Sequence, residues 1–122
     1  MKIKKEHLCL AIEQAYKSKF IFKHGAVALH KGKVISKAVN RATPERKMTK
    51  WGPASYHAEA IVCDRAHSLP IDTVISVRVS ITKGNLTCAL PCKNCQAIMK
   101  LRGVEVVIYS DYDGKMKRMR LV

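Results

Sequence analysis

The stretch Thr73–Gly84, TVISVRVSITKG, decides how the rest of the chain is read. Ile75, Val77, Val79 and Ile81 fall on one side of an extended backbone, and Ser76, Arg78 and Ser80 fall on the other. That period of two marks a β-strand, and its apolar side places it centrally in a sheet. The polar side reads as an open patch, with Arg78 an exposed charge or, more sharply, a phosphate contact.

Helical patterns flank this strand. Upstream, SYHAEAIVCDRA (Ser55–Ala66) predicts a helix over about 56–68, with Ser55 as its N-cap. Downstream, LPCKNC (Leu90–Cys95) opens a helix over about 92–102. Pro91 suits its first turn and Gly103 its C-terminal cap. VEVVIYS is then a strand, DYDG a turn, and KMKRMRLV a returning edge strand whose basic residues discourage stray pairing. Towards the N-terminus, HLCLAIEQAYKSKFIF sets Leu8, Ile12, Ala15 and Phe20 near one helical face. GAVALHKGKVISKAVN is a hairpin turning at Lys31-Gly32-Lys33, and RATPERKMTKWGPAS is a loop. The order α-β-β-α-β-α-β-β implies a mixed α/β sheet between helix layers. In such folds ligands sit where strands end and helices begin.

The 122 residues suit a single domain, 1–122. Hydrophobic residues make up 48% of the chain, enough for a packed core. No apolar run approaches the roughly 20 residues of a membrane span. The basic, amphipathic N-terminus is broken by Glu6, Glu13 and Gln14 and lacks the apolar block of a secretion signal. Five cysteines, an odd number, argue against a disulfide framework. A reducing, cytoplasmic setting is expected, where a close Cys pair binds metal or does redox work. The net charge is +14: residues 1–56 carry 13 basic and 3 acidic groups, residues 57–122 carry 10 and 6. An imbalance of this size favours polyanions, nucleic acid above all.

Two helix starts hold unusual chemistry. One is His57-Ala58-Glu59; the other places Cys92 and Cys95 on one face of a first turn. Helix N-termini lower thiol pKa, which biases both cysteines towards the metal-binding thiolate. An imidazole and two thiolates make three ligands for zinc, which prefers four, so one position is left for water. Glu59 beside that water could take its proton and deliver it to a substrate. Alternatives stay open. The Cys pair could be redox-active, Cys88 or His67 could complete a structural zinc site, and Trp51 and Tyr56 could stack on a base or plug a loop.

H-x-E followed by P-C-x-x-C is the pattern of zinc deaminases. Over roughly Gly25 to Ser110 the chain resembles the cytidine deaminase superfamily. That resemblance implies a three-layer α-β-α cytidine-deaminase-like fold with a mixed five-stranded sheet and a C-terminal β-hairpin. It implies His57, Cys92 and Cys95 as zinc ligands, Glu59 as proton shuttle, Asn40 as a substrate contact and the Ala58 backbone N–H as a contact to the base. It also implies hydrolytic conversion of cytosine to uracil and, in many relatives, homo-oligomers. Leu90 departs from the Glu or Ser common before Pro-Cys. The DYDG turn matches the hairpin-ended branch, home of free-nucleoside deaminases, whereas the charge favours cytosine in single-stranded RNA or DNA. Free cytidine or deoxycytidine, as nucleoside or nucleotide, is the alternative substrate. A non-catalytic, zinc-stabilised nucleic-acid binding module is the alternative of another class.

Overall fold

In chain order the elements are α1 (Lys5–Tyr16), β1 (Lys23–His30), β2 (Lys33–Val39), β3 (Arg41–Ala42), β4 (Met48–Thr49), β5 (Gly52–Pro53), β6 (Ser55–Tyr56), α2 (Ala58–Arg65), β7 (Thr73–Val79), β8 (Leu86–Thr87), α3 (Lys93–Leu101), β9 (Val106–Ser110) and β10 (Met116–Arg120). They come from a computed structural model that describes residues 4–19, 23–42, 48–49, 52–53, 55–80 and 84–121.

The main sheet runs β10-β9-β7-β1-β2. β7 and β9 are parallel, and the other neighbours on that path are antiparallel. The strand read first, β7, is central as expected, and it ends at Val79. The five expected strands gain a sixth, the two-residue β8, paired as Arg78↔Thr87 and Val79↔Leu86. β1 takes one edge of β7 from Thr73 to Val79, so β8 must lie on the other edge, beyond β9. Buried Ser110 joins these strands: its Oγ accepts from Arg78 N at 3.1 Å and donates to Thr87 O at 2.6 Å.

Each sheet face carries its own core, which gives the three layers. Ala11 and Ala15 of α1 pack with Val27, Leu29, Ile75, Val77, Val79, Val106 and Ile108. On the opposite face Ile61, Val62 and Cys63 of α2 and Cys95 and Met99 of α3 pack with Ala26, Ala28, Val74 and Val107. The α1 seam is not the expected Leu8–Ile12–Ala15 row. Its buried residues are His7, Ala11, Gln14 and Ala15, with Leu8 and Ile12 at the flank. Gly25 explains this, because a Cβ there would stand 2.3 Å from Ala11 O and 2.4 Å from Ala15 N. The helix backbone rests directly on the strand, and only small residues fit beneath it. Phe20, expected in this row, is outside the described residues.

The β1–β2 hairpin turns through Lys31 (φ 49°) and Gly32 (φ 80°), a two-residue loop with both φ positive whose twist matches the strands. The C-terminal hairpin is present as expected, with β10 antiparallel to β9 and no helix between them. At the end of α3, Gly103 N–H reaches Lys100 O and Val104 N–H reaches Met99 O, with Gly103 at φ +83°. These two bonds form the Schellman cap foreseen at Gly103.

Two expectations are corrected. Ser55 does not cap α2: it lies in β6, paired with Ala42 of β3, and His57 takes the N-cap position without a side-chain cap bond. The helix is also shorter than 56–68, because His67 turns to φ 54°. The Arg102 guanidinium donates to the carbonyls of Cys63, His67 and Leu69 and so caps that end from the neighbouring helix. The 41–55 loop holds two small antiparallel pairs, β3–β6 and β4–β5.

Candidate active site

β2, β7 and β9 run in one direction, so α2 and α3 are both crossovers that begin at the same end of the sheet. β1 is antiparallel and starts at that end, with His24 opposite Arg78. Topology alone therefore brings His57 and Glu59, Cys92 and Cys95, and the first residues of β1 into one neighbourhood. This is the strand-end position foreseen for a ligand.

The ligating atoms of His57, Cys92 and Cys95 all lie within 4.8 Å of one another. His57 Nδ1 is 3.5 Å from Cys92 Sγ and 3.4 Å from Cys95 Sγ. Zinc bonds of about 2.0 Å to nitrogen and 2.3 Å to sulfur at tetrahedral angles separate the two atoms by about 3.5 Å, so this donor set fits zinc. Cys88 and His67 lie outside the cluster, and among the described residues no second group of this kind occurs. His57 and Cys92 are exposed while Cys95 is buried, so the cluster opens to one side.

The electrostatics suit a metal. Although His57 is exposed as a residue, partial burial of its ring lowers its pKa, with His24 and Arg78 acting in the same direction against Glu59. The ring is then neutral, the form that ligates. The expected easing of thiol ionisation by the helix N-terminus fails at Cys95. Burial first, then the charge of Glu59 and the neighbouring Cys92, push its thiol up, and the Ala60 N–H opposes them only weakly. The charge of a cation is what makes a thiolate stable there.

Glu59 is 1% exposed, in the first turn of α2. Its Oε1 accepts from Ser76 Oγ at 3.0 Å and lies 3.2 Å from His24 Nε2. His24 Nε2 is also 2.7 Å from Ser76 Oγ. Burial alone would raise the Glu59 pKa, but the charge and hydrogen bond of His24, aided by backbone N–H and His57, bring it below the ordinary value. The carboxyl is therefore ionised near neutrality, the state that accepts a proton. Its Oε2 is buried with no hydrogen-bond partner. An orphaned carboxylate oxygen in such a place is costly unless a ligand engages it.

Asn40 is 6% exposed at the end of β2. Its side-chain Oδ1 accepts from the His24 backbone N–H at 3.3 Å and its backbone N–H donates to His24 O at 3.1 Å, so it clamps the start of β1 beside the site. Ala58, fully buried, is the first residue of α2, where backbone N–H groups precede the helical ladder. Trp51 lies outside the described residues. For Tyr56 the backbone alone is described, paired with Arg41.

His24 and Ser76 were missed in the sequence. The sequence pattern places Ser76 on an open polar face, yet it is fully buried, and the signal is a hydroxyl in the middle of a central apolar strand. Arg78, on the same face, is half-buried rather than exposed.

The fold is shared with solved structures. Cytidine deaminase from Burkholderia pseudomallei matches with TM-score 0.72 and 18% identity over 98% of this chain and 94% of that one. Cytidine deaminase from Mycobacterium tuberculosis matches with TM-score 0.65 and 18% identity over 98% and 92%. The dCMP deaminase of cyanophage S-TIM5 matches with TM-score 0.64 and 22% identity over 90% and 86%. No curated protein sequence matches the chain. The family model described as the cytidine and deoxycytidylate deaminase zinc-binding region spans residues 1–111. A His/Cys/Cys cluster spaced for zinc, on the three-layer fold and within a family match over nearly the whole chain, makes this protein a member of the cytidine and deoxycytidylate deaminases, a family of zinc-dependent hydrolytic enzymes.

Proposed function

We propose that the protein hydrolyses the exocyclic amine of cytosine to give uracil and ammonia, with Glu59 carrying the proton and His57, Cys92 and Cys95 holding zinc. The observation that carries this is the unengaged Oε2 of a buried, ionised Glu59 two residues from the His57 ligand. When bound, zinc supplies a Lewis acid that turns water into a nucleophile at neutral pH. Glu59 Oε2 takes a proton from the attacking water as the C4–O bond forms and passes it to the ring nitrogen. It then takes the proton of the new C4 hydroxyl and delivers it to the amino group, which leaves as ammonia as the C4–N bond breaks. Buried Cys95 and Met99 and the packed α2–α3 face form the floor of the site and exclude water from below. The Ala58 N–H and the Asn40 amide, at the same strand ends, are the candidate contacts to base and sugar.

The substrate we favour is cytosine in single-stranded RNA or DNA, because residues 1–56 carry 13 basic against 3 acidic groups. Trp51 and Tyr56, in the stretch leading into His57, are the candidate stacking residues. A free nucleoside or nucleotide is the second reading, supported by the C-terminal hairpin and by neighbours named as cytidine and dCMP deaminases. Among the described residues no helix is long and apolar enough to cross a membrane, and a cytoplasmic setting fits the free cysteines.

The test is to incubate the zinc-loaded protein with cytidine, dCMP, and single-stranded RNA and DNA, and to measure uracil at several salt concentrations. Polynucleotide activity should fall steeply with salt, with a slope set by the phosphates contacted, whereas activity on a mononucleotide should change little. Zinc-bound protein that forms no uracil from any of the four overturns the enzyme reading in favour of a binding module.

A further inference from the structure

We propose that His24 and Ser76 are positioning residues for Glu59: together they hold its Oε1, so that Oε2 is the oxygen presented to the reacting groups. The inference rests on the reading of Glu59 as proton carrier and adds to it what fixes the carboxylate in the orientation that work needs.

The three side chains form a closed triangle from three elements. His24 comes from the start of β1, Ser76 from the middle of β7 and Glu59 from the first turn of α2. Their separations are 2.7 Å (His24 Nε2 to Ser76 Oγ), 3.0 Å (Ser76 Oγ to Glu59 Oε1) and 3.2 Å (His24 Nε2 to Glu59 Oε1). The donors can be assigned without conflict. His24 Nε2–H is shared between the serine oxygen and Oε1, while the Ser76 hydroxyl donates to Oε1. Ala89 O, 3.3 Å from Ser76 Oγ, is the more distant competitor for that hydroxyl proton. Glu59 Oε1 thus receives two donors, and Oε2, equally buried, receives none.

A carboxylate on a flexible stem would otherwise sample many side-chain orientations. Here turning away would break both bonds to Oε1 in a site where His24 is 4% exposed and Ser76 0%, shielded from bulk solvent. The holders are themselves held. His24 is clamped through its backbone N–H and C=O by Asn40, and Gly25, the next residue, is pinned beneath α1. The triangle is thus carried by two strands and a helix, as positioned acid–base chemistry requires.

The experiment measures kcat and KM for cytosine deamination, with zinc content and melting temperature, for His24→Leu, His24→Gln, Ser76→Ala and Glu59→Gln. A positioning role predicts that His24→Leu and Ser76→Ala each lower kcat by about 10- to 100-fold at unchanged zinc content and nearly unchanged KM. His24→Gln, which keeps a donor nitrogen, should recover much of the loss. Added to Glu59→Gln, neither His24→Leu nor Ser76→Ala should lower the residual rate further, because both act through the carboxylate. Should Glu59→Gln abolish turnover while zinc-loaded His24→Leu and Ser76→Ala keep wild-type kcat, the positioning role is wrong and the proton-carrier reading stands. Should Glu59→Gln keep wild-type turnover, both are wrong. Should His24→Leu fail to fold, folded Ser76→Ala decides alone, since it removes one of the two donors.

Discussion

Two histidine–carboxylate pairs stand at opposite ends of β1, and they have become different things. At one end His24 Nε2 lies 3.2 Å from Glu59 Oε1 with side chains 5% and 1% exposed. At the other, His30 Nδ1 lies 3.5 Å from Asp72 Oδ2 with both side chains 32% exposed. Asp72 spends both its oxygens on structure. Oδ2 accepts from the backbone of Lys31 at 2.8 Å, and Oδ1 accepts from the Thr73 hydroxyl at 2.8 Å. Its backbone continues the task, bonding to Leu29 O and accepting from Glu105 and Val106. Asp72 is a staple that ties the β1–β2 turn to the starts of β7 and β9. Glu59 keeps one oxygen unengaged in a place where that is expensive. A histidine and a carboxylate make a turn clamp at one end and the proposed proton carrier at the other, and the satisfaction of the second oxygen separates them.

The contrast is broken most severely by Glu59→Gln. Turnover should fall about 10²- to 10⁴-fold, the usual worth of positioned acid–base catalysis, while zinc by elemental analysis stays at wild-type level. Next in size is the pH dependence of metal loading. The Cys95 thiol is raised by burial, so near neutrality without metal it holds its proton, and binding must release it. Apparent zinc affinity should therefore drop about tenfold per pH unit lost for each proton released, read by chelator competition and by the acid liberated into weak buffer. At the Glu59 end of β1, Gly25→Ala would press a methyl group against the Ala11 and Ala15 backbone. We expect a loss of about 2–3 kcal/mol in denaturant unfolding, with turnover falling as the start of β1 loosens. The mildest change is Asp72→Asn at the other end. It should remove about 1 kcal/mol of stability and leave kcat for cytosine unaltered, since no part of the metal cluster or the Glu59 triangle touches it.

Legibility followed the range of the interactions. β7 was readable because its apolar face repeats every second residue, and α3 because Pro91, Cys92 and Gly103 mark its limits locally. The start of α2 was misplaced, because a serine before a helix is a common cap, and here pairing with β3 claimed Ser55 instead. The seam of α1 was misread for a similar reason: Leu8 and Ile12 are the larger apolar groups, but contact with Gly25 from a distant strand admits only alanine. β8, two residues long, carries no period to detect. The candidate metal cluster was legible because its three residues keep fixed spacings within two helix starts, and the cysteine pair lies three residues apart on one turn. His24 and Ser76 belong to no such spacing.

By itself the sequence determined which atoms can hold a cation, which carboxylate stands beside them, and the alternation of strands and helices that carries both. These follow from local periodicity and from chemistry intrinsic to residue types. Only the tertiary structure decided which oxygen of Glu59 is held and which is presented, that Ser76 faces a site rather than solvent, and that the Cys95 thiol resists ionisation. Those outcomes depend on burial and on partners brought from elements 17 to 52 residues apart in the chain, and no local pattern records them.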